Sequence, residues 1–101
     1  MKLIVNNKEF NLVEANTFLK KLKGLMFKKE IKEIIVFKHC SSIHTFFMKR
    51  NIDIIFFDKN KKLLEIHKDI KKNKIIICKH AYYTIELLSN TLDLDKEIKL
   101  I

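Results

Sequence analysis

The sequence predicts a mainly β fold, an antiparallel β-sandwich or barrel-like arrangement of jelly-roll type. It would hold eight or nine short strands and one helix packed near residues 16–27. Three observations predict it. Short apolar runs alternate with Lys, Asn and Asp about every 8–12 residues, the rhythm of strands and turns in sandwiches and barrels. The runs draw on 16 Ile and 8 Phe, types that suit a pleated, half-buried surface. Only the stretch 18–27 carries a helical period. The 101 residues have room for a single domain, and 48% apolar content is enough to build its core.

The elements follow in order. Residues 1–5 and 8–14 form a first hairpin turning at Asn6-Asn7. Asn tolerates left-handed backbone angles and can replace glycine there. Asn16-Thr17 offers a helix N-cap. Phe18, Leu19, Leu22, Leu25 and Met26 then fall on one face, with Lys20, Lys21 and Lys23 opposite. Gly24, the one glycine, sits near the helix end, where a C-cap or close backbone approach needs it. Lys28 and Lys29 suit the negative end of the helix dipole. Strands are expected at 34–37, 43–48 and 52–58, the last apolar on both faces and therefore interior. Residues 58–61 make a hairpin turn with Asn60 left-handed, and 63–67 returns from it. Residues 70–73 form a polar connection. Strands at 75–78, 82–88 and 98–101 complete the set. Sequential hairpins imply antiparallel pairing. If 43–48 pairs with 52–58 across Lys49-Arg50-Asn51, His44 lies near Asp58.

The net charge of +9 comes from 20 Lys and Arg50 against 12 acidic residues. The joint skew toward Lys, Ile, Asn and Phe is that of an AT-rich coding sequence, so much of the lysine excess is expected to be solvated surface. Specific nucleic-acid reading favours Arg, and this chain has one. A nucleic-acid partner is therefore not expected beyond salt-sensitive, non-specific attraction. No apolar run approaches the roughly 20 residues that cross a bilayer, so no membrane association is expected. The first residues lack the apolar stretch and small-residue site of an export signal. Cys40 and Cys78, with no CxxC, read as reduced thiols, and the expected compartment is the cytoplasm.

Four pieces occur in order: Gly24-Leu25-Met26 at the helix end; Cys40-Ser41-Ser42-Ile43-His44-Thr45-Phe46-Phe47-Met48-Lys49; Ile52-Asp53-Ile54-Ile55-Phe56-Phe57-Asp58; and Ile85-Glu86-Leu87. This order and spacing resembles the small bacterial and archaeal family known as domain of unknown function 192 (DUF-192). The likeness spans roughly residues 10–101. It implies a compact, mostly β domain of sandwich or jelly-roll type with one packed helix, and it implies no reaction. Many members of that family carry an N-terminal export signal. The chain departs from the family pattern at three turn glycines, having Ser89-Asn90, Asp95-Lys96 and Asn60-Lys61 instead.

Several side chains could carry chemistry. Asp53 shares a strand face with Ile55 and Phe57 and so must find hydrogen-bond or cationic partners, or its pKa rises. It is read either as an acid in a pocket or, preferably, as a carboxylate bonding the turn 49–51 and pairing Lys49 or Arg50. His44 alternates with Phe46 and Met48, either as part of a His–carboxylate pair or as a structural imidazole. Glu86 shares a face with Tyr82, Thr84 and Leu88. It is either solvent-facing or buried, and burial calls for a partner such as His44, Lys49 or backbone N–H groups. Met26 and Met48 fall within the resembling motifs, as core packing or as the lining of a pocket with Gly24 and Phe47. Cys40, His44 and His39 lack a convincing metal spacing, and neither a metal nor a cofactor is expected. There is no phosphate loop or nucleophile elbow, and no catalytic set is named.

The expected function is thus a non-catalytic module. It would bind a small molecule or a protein near Gly24, Met26, His44, Phe47, Met48, Asp53 and Glu86. A small hydrolase or isomerase working through His44, Asp53 and Glu86 is the second possibility, and it requires all three to converge on one point. A non-specific, lysine-rich nucleic-acid binder is the third.

Overall fold

The computed structural model describes residues 1–14, 33–46, 48 and 50–101. These residues form ten strands and no helix; the helix expected at 16–27 lies outside them.

β1 (Lys2–Val5) and β2 (Lys8–Asn11) form the predicted first hairpin. Its turn residues Asn6 and Asn7 have φ of 51° and 65°, the paired left-handed angles of a type I′ turn, whose twist matches that of the flanking strands. β10 (Ile98–Leu100) pairs antiparallel with the other edge of β1. The expected strand 8–14 breaks at Leu12. Its second part, β3 (Val13–Glu14), joins a different sheet and runs parallel to β4 (Ile35–Lys38). This split explains why there are ten strands rather than nine, and β3–β4 is a parallel exception among antiparallel pairs.

β6 (Ile52–Phe57) lies inside a five-stranded sheet of order β3-β4-β9-β6-β7, with β7 at Leu63–Ile70 and β9 at Tyr83–Leu88. All six of its residues are buried, Asp53 among them, as expected of a strand with apolar residues on both faces. The β6–β7 connection corrects one expectation: Lys61, not Asn60, is left-handed, with φ 65°. Asp58 explains this. Its Oδ1 accepts from the Asn60 and Lys62 amides at 2.8 and 2.9 Å. Its carbonyl accepts from Lys61 N at 3.0 Å. The loop is therefore a turn followed by one left-handed residue, the usual three-residue hairpin. A side chain with Cβ at that position is disfavoured by about 1 kcal/mol relative to glycine. Lys61→Gly is accordingly expected to raise the thermal midpoint by roughly 4–8 °C. An unchanged or lower midpoint in calorimetry would refute this.

The strand expected at 43–48 is shorter and pairs elsewhere. β5 (Ser42–His44) joins β8 (Ile75–Ile77) in a separate two-stranded ribbon, not β6. Successive side chains of β6 point to opposite faces. On one face Ile55 and Phe57 pack with Val36, Ile85 and Leu87, and with Leu3, Val5, Ile98 and Leu100 of the three-stranded sheet. On the other, Ile52, Ile54 and Phe56 pack with Ile70, Cys78 and Ile43 of the ribbon.

Candidate functional site

The sheet register separates the two predicted carboxylates. Asp53 lies opposite Leu87, and the next residue, Ile54, lies opposite Glu86. Since neighbours in a strand alternate faces, Asp53 and Glu86 project from opposite sides of one sheet. His44 joins neither. It is exposed on the ribbon, opposite Ile75, with its ring stacked on Phe46 at 5.3 Å between centroids. The expected His44–Asp58 juxtaposition is absent because β5 pairs with β8, and Asp58 is engaged in its own turn. The acid–base set His44, Asp53 and Glu86 does not come together. Met48 is half-buried against the Ile52–Ile54 cluster, on the Glu86 side. Gly24, Met26 and Phe47 lie outside the described residues.

Asp53 does structural work. The β6–β7 register slips between Ile52 and Ile54, which face Ile70 and His67, and Asp69 in the slip has φ 53°. Such a bulge leaves an amide without a ladder partner. The Asp69 amide donates instead to Asp53 Oδ1 at 2.7 Å, and Ser89 Oγ donates to the same oxygen at 3.0 Å. Among the described residues the hydrogen bonds to Asp53 thus come from residues 69 and 89, and Lys49, one of the expected partners, lies outside them. Glu86 has a different environment. It is buried between Ile35 and Ile54 of the neighbouring strands, and no hydrogen bond or ion pair to a described residue offsets its burial. Desolvation pushes its carboxyl up to about 7.

Other titratable groups gather without forming a reactive centre. His67 Nε2 lies 2.8 Å from Glu65 Oε1, and this bond, with one from Cys78, holds the Glu65 carboxyl low. Burial and Glu65 together raise the Cys78 thiol, the reverse of what a nucleophilic cysteine needs. Among the described residues no three His, Cys, Asp or Glu side chains are placed to hold a metal ion.

A concavity among the described residues lies elsewhere, between the segment after β5 and the β7–β8 turn. This open cleft of about 860 Å³ is lined by Met48, Arg50, Asn51, Lys71, Lys72, Asn73 and Lys74. Thr45, which is fully buried, holds its walls together. Thr45 Oγ1 donates to the Lys71 carbonyl at 2.7 Å and accepts from the Lys74 amide at 2.9 Å. The Thr45 amide donates to the Lys74 carbonyl, and the Thr45 carbonyl accepts from the Asn73 and Met48 amides. The hydroxyl, N–H and C=O of one residue thus fix both walls. The described lining carries four cationic residues, two amides and no carboxylate, so its field favours an anion. Of these residues only Met48 was among the predicted site positions. The Lys-Lys-Asn-Lys run and the single Arg were visible in the sequence, but nothing local brings them together.

The comparisons with known proteins agree with the fold. The family model DUF192, described as Uncharacterized ACR, matches residues 1–96. The UPF0127 protein TK1120 of Thermococcus kodakarensis is 37% identical over 79 residues, covering 71% of this chain and 50% of that protein. The UPF0127 protein PH1112 of Pyrococcus horikoshii is 37% identical over 78 residues, covering 71% of this chain and 67% of its own length. The chain therefore spans half to two thirds of these relatives. A crystal structure of a protein of unknown function from Novosphingobium aromaticivorans superposes with a TM-score of 0.64 at 15% identity, over 88% of this chain and 71% of that one. That likeness concerns the fold alone. With the family model running from β1 almost to β10, and UPF0127 relatives sharing more than a third of the aligned residues, this chain belongs to the DUF192 (UPF0127) family of uncharacterised proteins.

Proposed function

We propose that the chain is a non-catalytic binding module that takes a small anionic molecule, one bearing phosphate or carboxylate groups, in the cleft between Met48 and the β7–β8 turn. The observation that carries this reading is the cleft lining: Arg50, Lys71, Lys72 and Lys74 with the amides of Asn51 and Asn73, held by the buried Thr45. Backbone anchoring of this kind positions cations before a ligand arrives, which lowers the entropy lost on binding. The separation of Asp53 from Glu86 supports a binding role over the hydrolase or isomerase alternative. In this reading the chain is a single domain with its sheets layered as a sandwich and a helix at 16–27 packed against them. It works in the cytoplasm, where its two free thiols remain reduced.

Inorganic pyrophosphate is the probe. At 100 times its dissociation constant it is expected to add about 2.7 kcal/mol of stability, a rise in midpoint on the order of 10 °C. Lys72→Ala should remove most of the shift, and Thr45→Val should weaken it while lowering stability by about 1–3 kcal/mol through the unpaired Lys74 amide. Lys99→Ala, a charge-matched change on the three-stranded sheet, should leave the shift intact. Equal loss in that control, or a shift present only at low salt, would show general attraction to the lysines and overturn the proposal.

A further inference from the structure

The β5–β8 ribbon exposes a second surface with a different chemistry. Ile75 and Ile77 retain 61% and 67% of their accessible surface. They lie on one face of β8, two residues apart, while Ile76 between them points into the core cluster. Their backbone is open as well. The Thr45 amide bonds the Lys74 carbonyl at 2.9 Å, and the Cys78 amide bonds the Ser41 carbonyl at 2.8 Å. With Ser42, Ile43 and His44 opposite Ile77, Ile76 and Ile75, antiparallel alternation makes Ile43–Ile76 the bonded pair. The N–H and C=O groups of Ile75 and Ile77 therefore point away from β5. Among the described residues no strand lies on that side. Lys74 precedes this edge and Lys79 follows it, and neither is ion-paired with a described residue.

We propose that the free edge of β8 captures an extended acidic segment of a protein partner, which adds to the ribbon as a third strand. Backbone groups supply the hydrogen bonds of such strand addition, and alternate side chains supply the selectivity. Here Ile75 and Ile77 give an apolar strip, and the flanking lysines select carboxylates. A second copy of the chain fits poorly, because edge-to-edge pairing would oppose these lysines to their twins in a molecule of net charge +9. A lipid surface fits poorly too, because it would leave the edge amides without acceptors. The apolar strip and the open edge lie outside the anion cleft, and the two surfaces share only Lys74.

The test is amide hydrogen exchange by NMR on the uniformly ¹⁵N-labelled chain, with a short capped peptide of alternating Val and Glu as probe. In the free protein the Ile76 amide is expected to be protected and those of Ile75 and Ile77 to exchange freely. Saturating peptide should slow both open amides by about tenfold or more, since a paired amide exchanges only on local opening. Ile75→Thr with Ile77→Thr keeps the edge but loses the apolar strip, and should weaken binding by roughly tenfold. Lys74→Glu with Lys79→Glu, which spares the strand itself, should abolish it, whereas Lys72→Ala in the cleft should leave it largely unchanged. Equal protection by a Val–Lys peptide would overturn the proposal. So would Ile75 and Ile77 amides already protected in a self-associated free protein, or protected by phosphatidylglycerol vesicles and not by the peptide.

Discussion

Glu86→Leu is expected to raise the thermal midpoint at pH 8 by on the order of 10 °C and to flatten the pH dependence of stability below neutrality. Glu86 sits on an otherwise apolar stretch of the central sheet, between Ile35 and Ile54. Its folded pKa is raised from 4.5 to about 7 by desolvation. Between those values the folded state holds a proton that the unfolded chain has released. Stability therefore declines as pH rises from about 4.5 to about 7 and is level above it. The separation corresponds to on the order of 3 kcal/mol of destabilisation at alkaline pH. Leucine of similar volume removes the ionisable group and packs against the two isoleucines, so the gain appears at pH 8 and shrinks toward pH 4.5. Four histidines also titrate in this range, so the quantity to measure is the difference between variant and parent in urea unfolding at several pH values. A difference that stays constant from pH 5 to 8 would refute the account.

Phe57→Ala is expected to lower stability by about 3–5 kcal/mol, a large share of what a domain of this size possesses. Phe57 is fully buried at the end of β6. It belongs to the cluster that joins the five-stranded sheet to Leu3, Val5, Ile98 and Leu100 of the three-stranded one. Truncation leaves a cavity at that junction, among apolar side chains carried on two hydrogen-bonded sheets. Chemical denaturation should show a lower midpoint at an unchanged slope. A loss below 1 kcal/mol would mean that the two sheets contribute little to each other's stability.

Much of the strand layout was legible in the sequence, for local reasons. The run 52–57 is apolar on both faces, and it became a fully buried strand. Asn6-Asn7 suits paired left-handed angles, and both residues adopt them. The alternation that set Asp53 with Ile55 and Phe57 holds. Pairing across long separations was not legible. Residues 42–44 bypass the adjacent strand for 75–77. The buried Thr45 hydroxyl secures that choice by binding the turn at 71–74, and a threonine looks the same in sequence whether it bonds water or a distant turn. The left-handed position at Lys61 rather than Asn60 has a local source instead, because Asp58 takes the Asn60 amide and moves that position one residue on.

The candidate site divides in the same way. Periodicity and composition are properties of neighbours, so the β-rich character, the basic charge and the alternation along each strand were readable from residue order. That Asp53 braces a bulge, while Glu86 on the opposite face is buried with no hydrogen bond or ion pair to a described residue, follows from register alone. Register also places Arg50 and three lysines around one cleft and, among the described residues, leaves no strand on the outer side of Ile75 and Ile77. These depend on register and on which strand lies beside which, and both are settled by burying the two faces of one sheet at once, an energy shared by residues far apart in the chain.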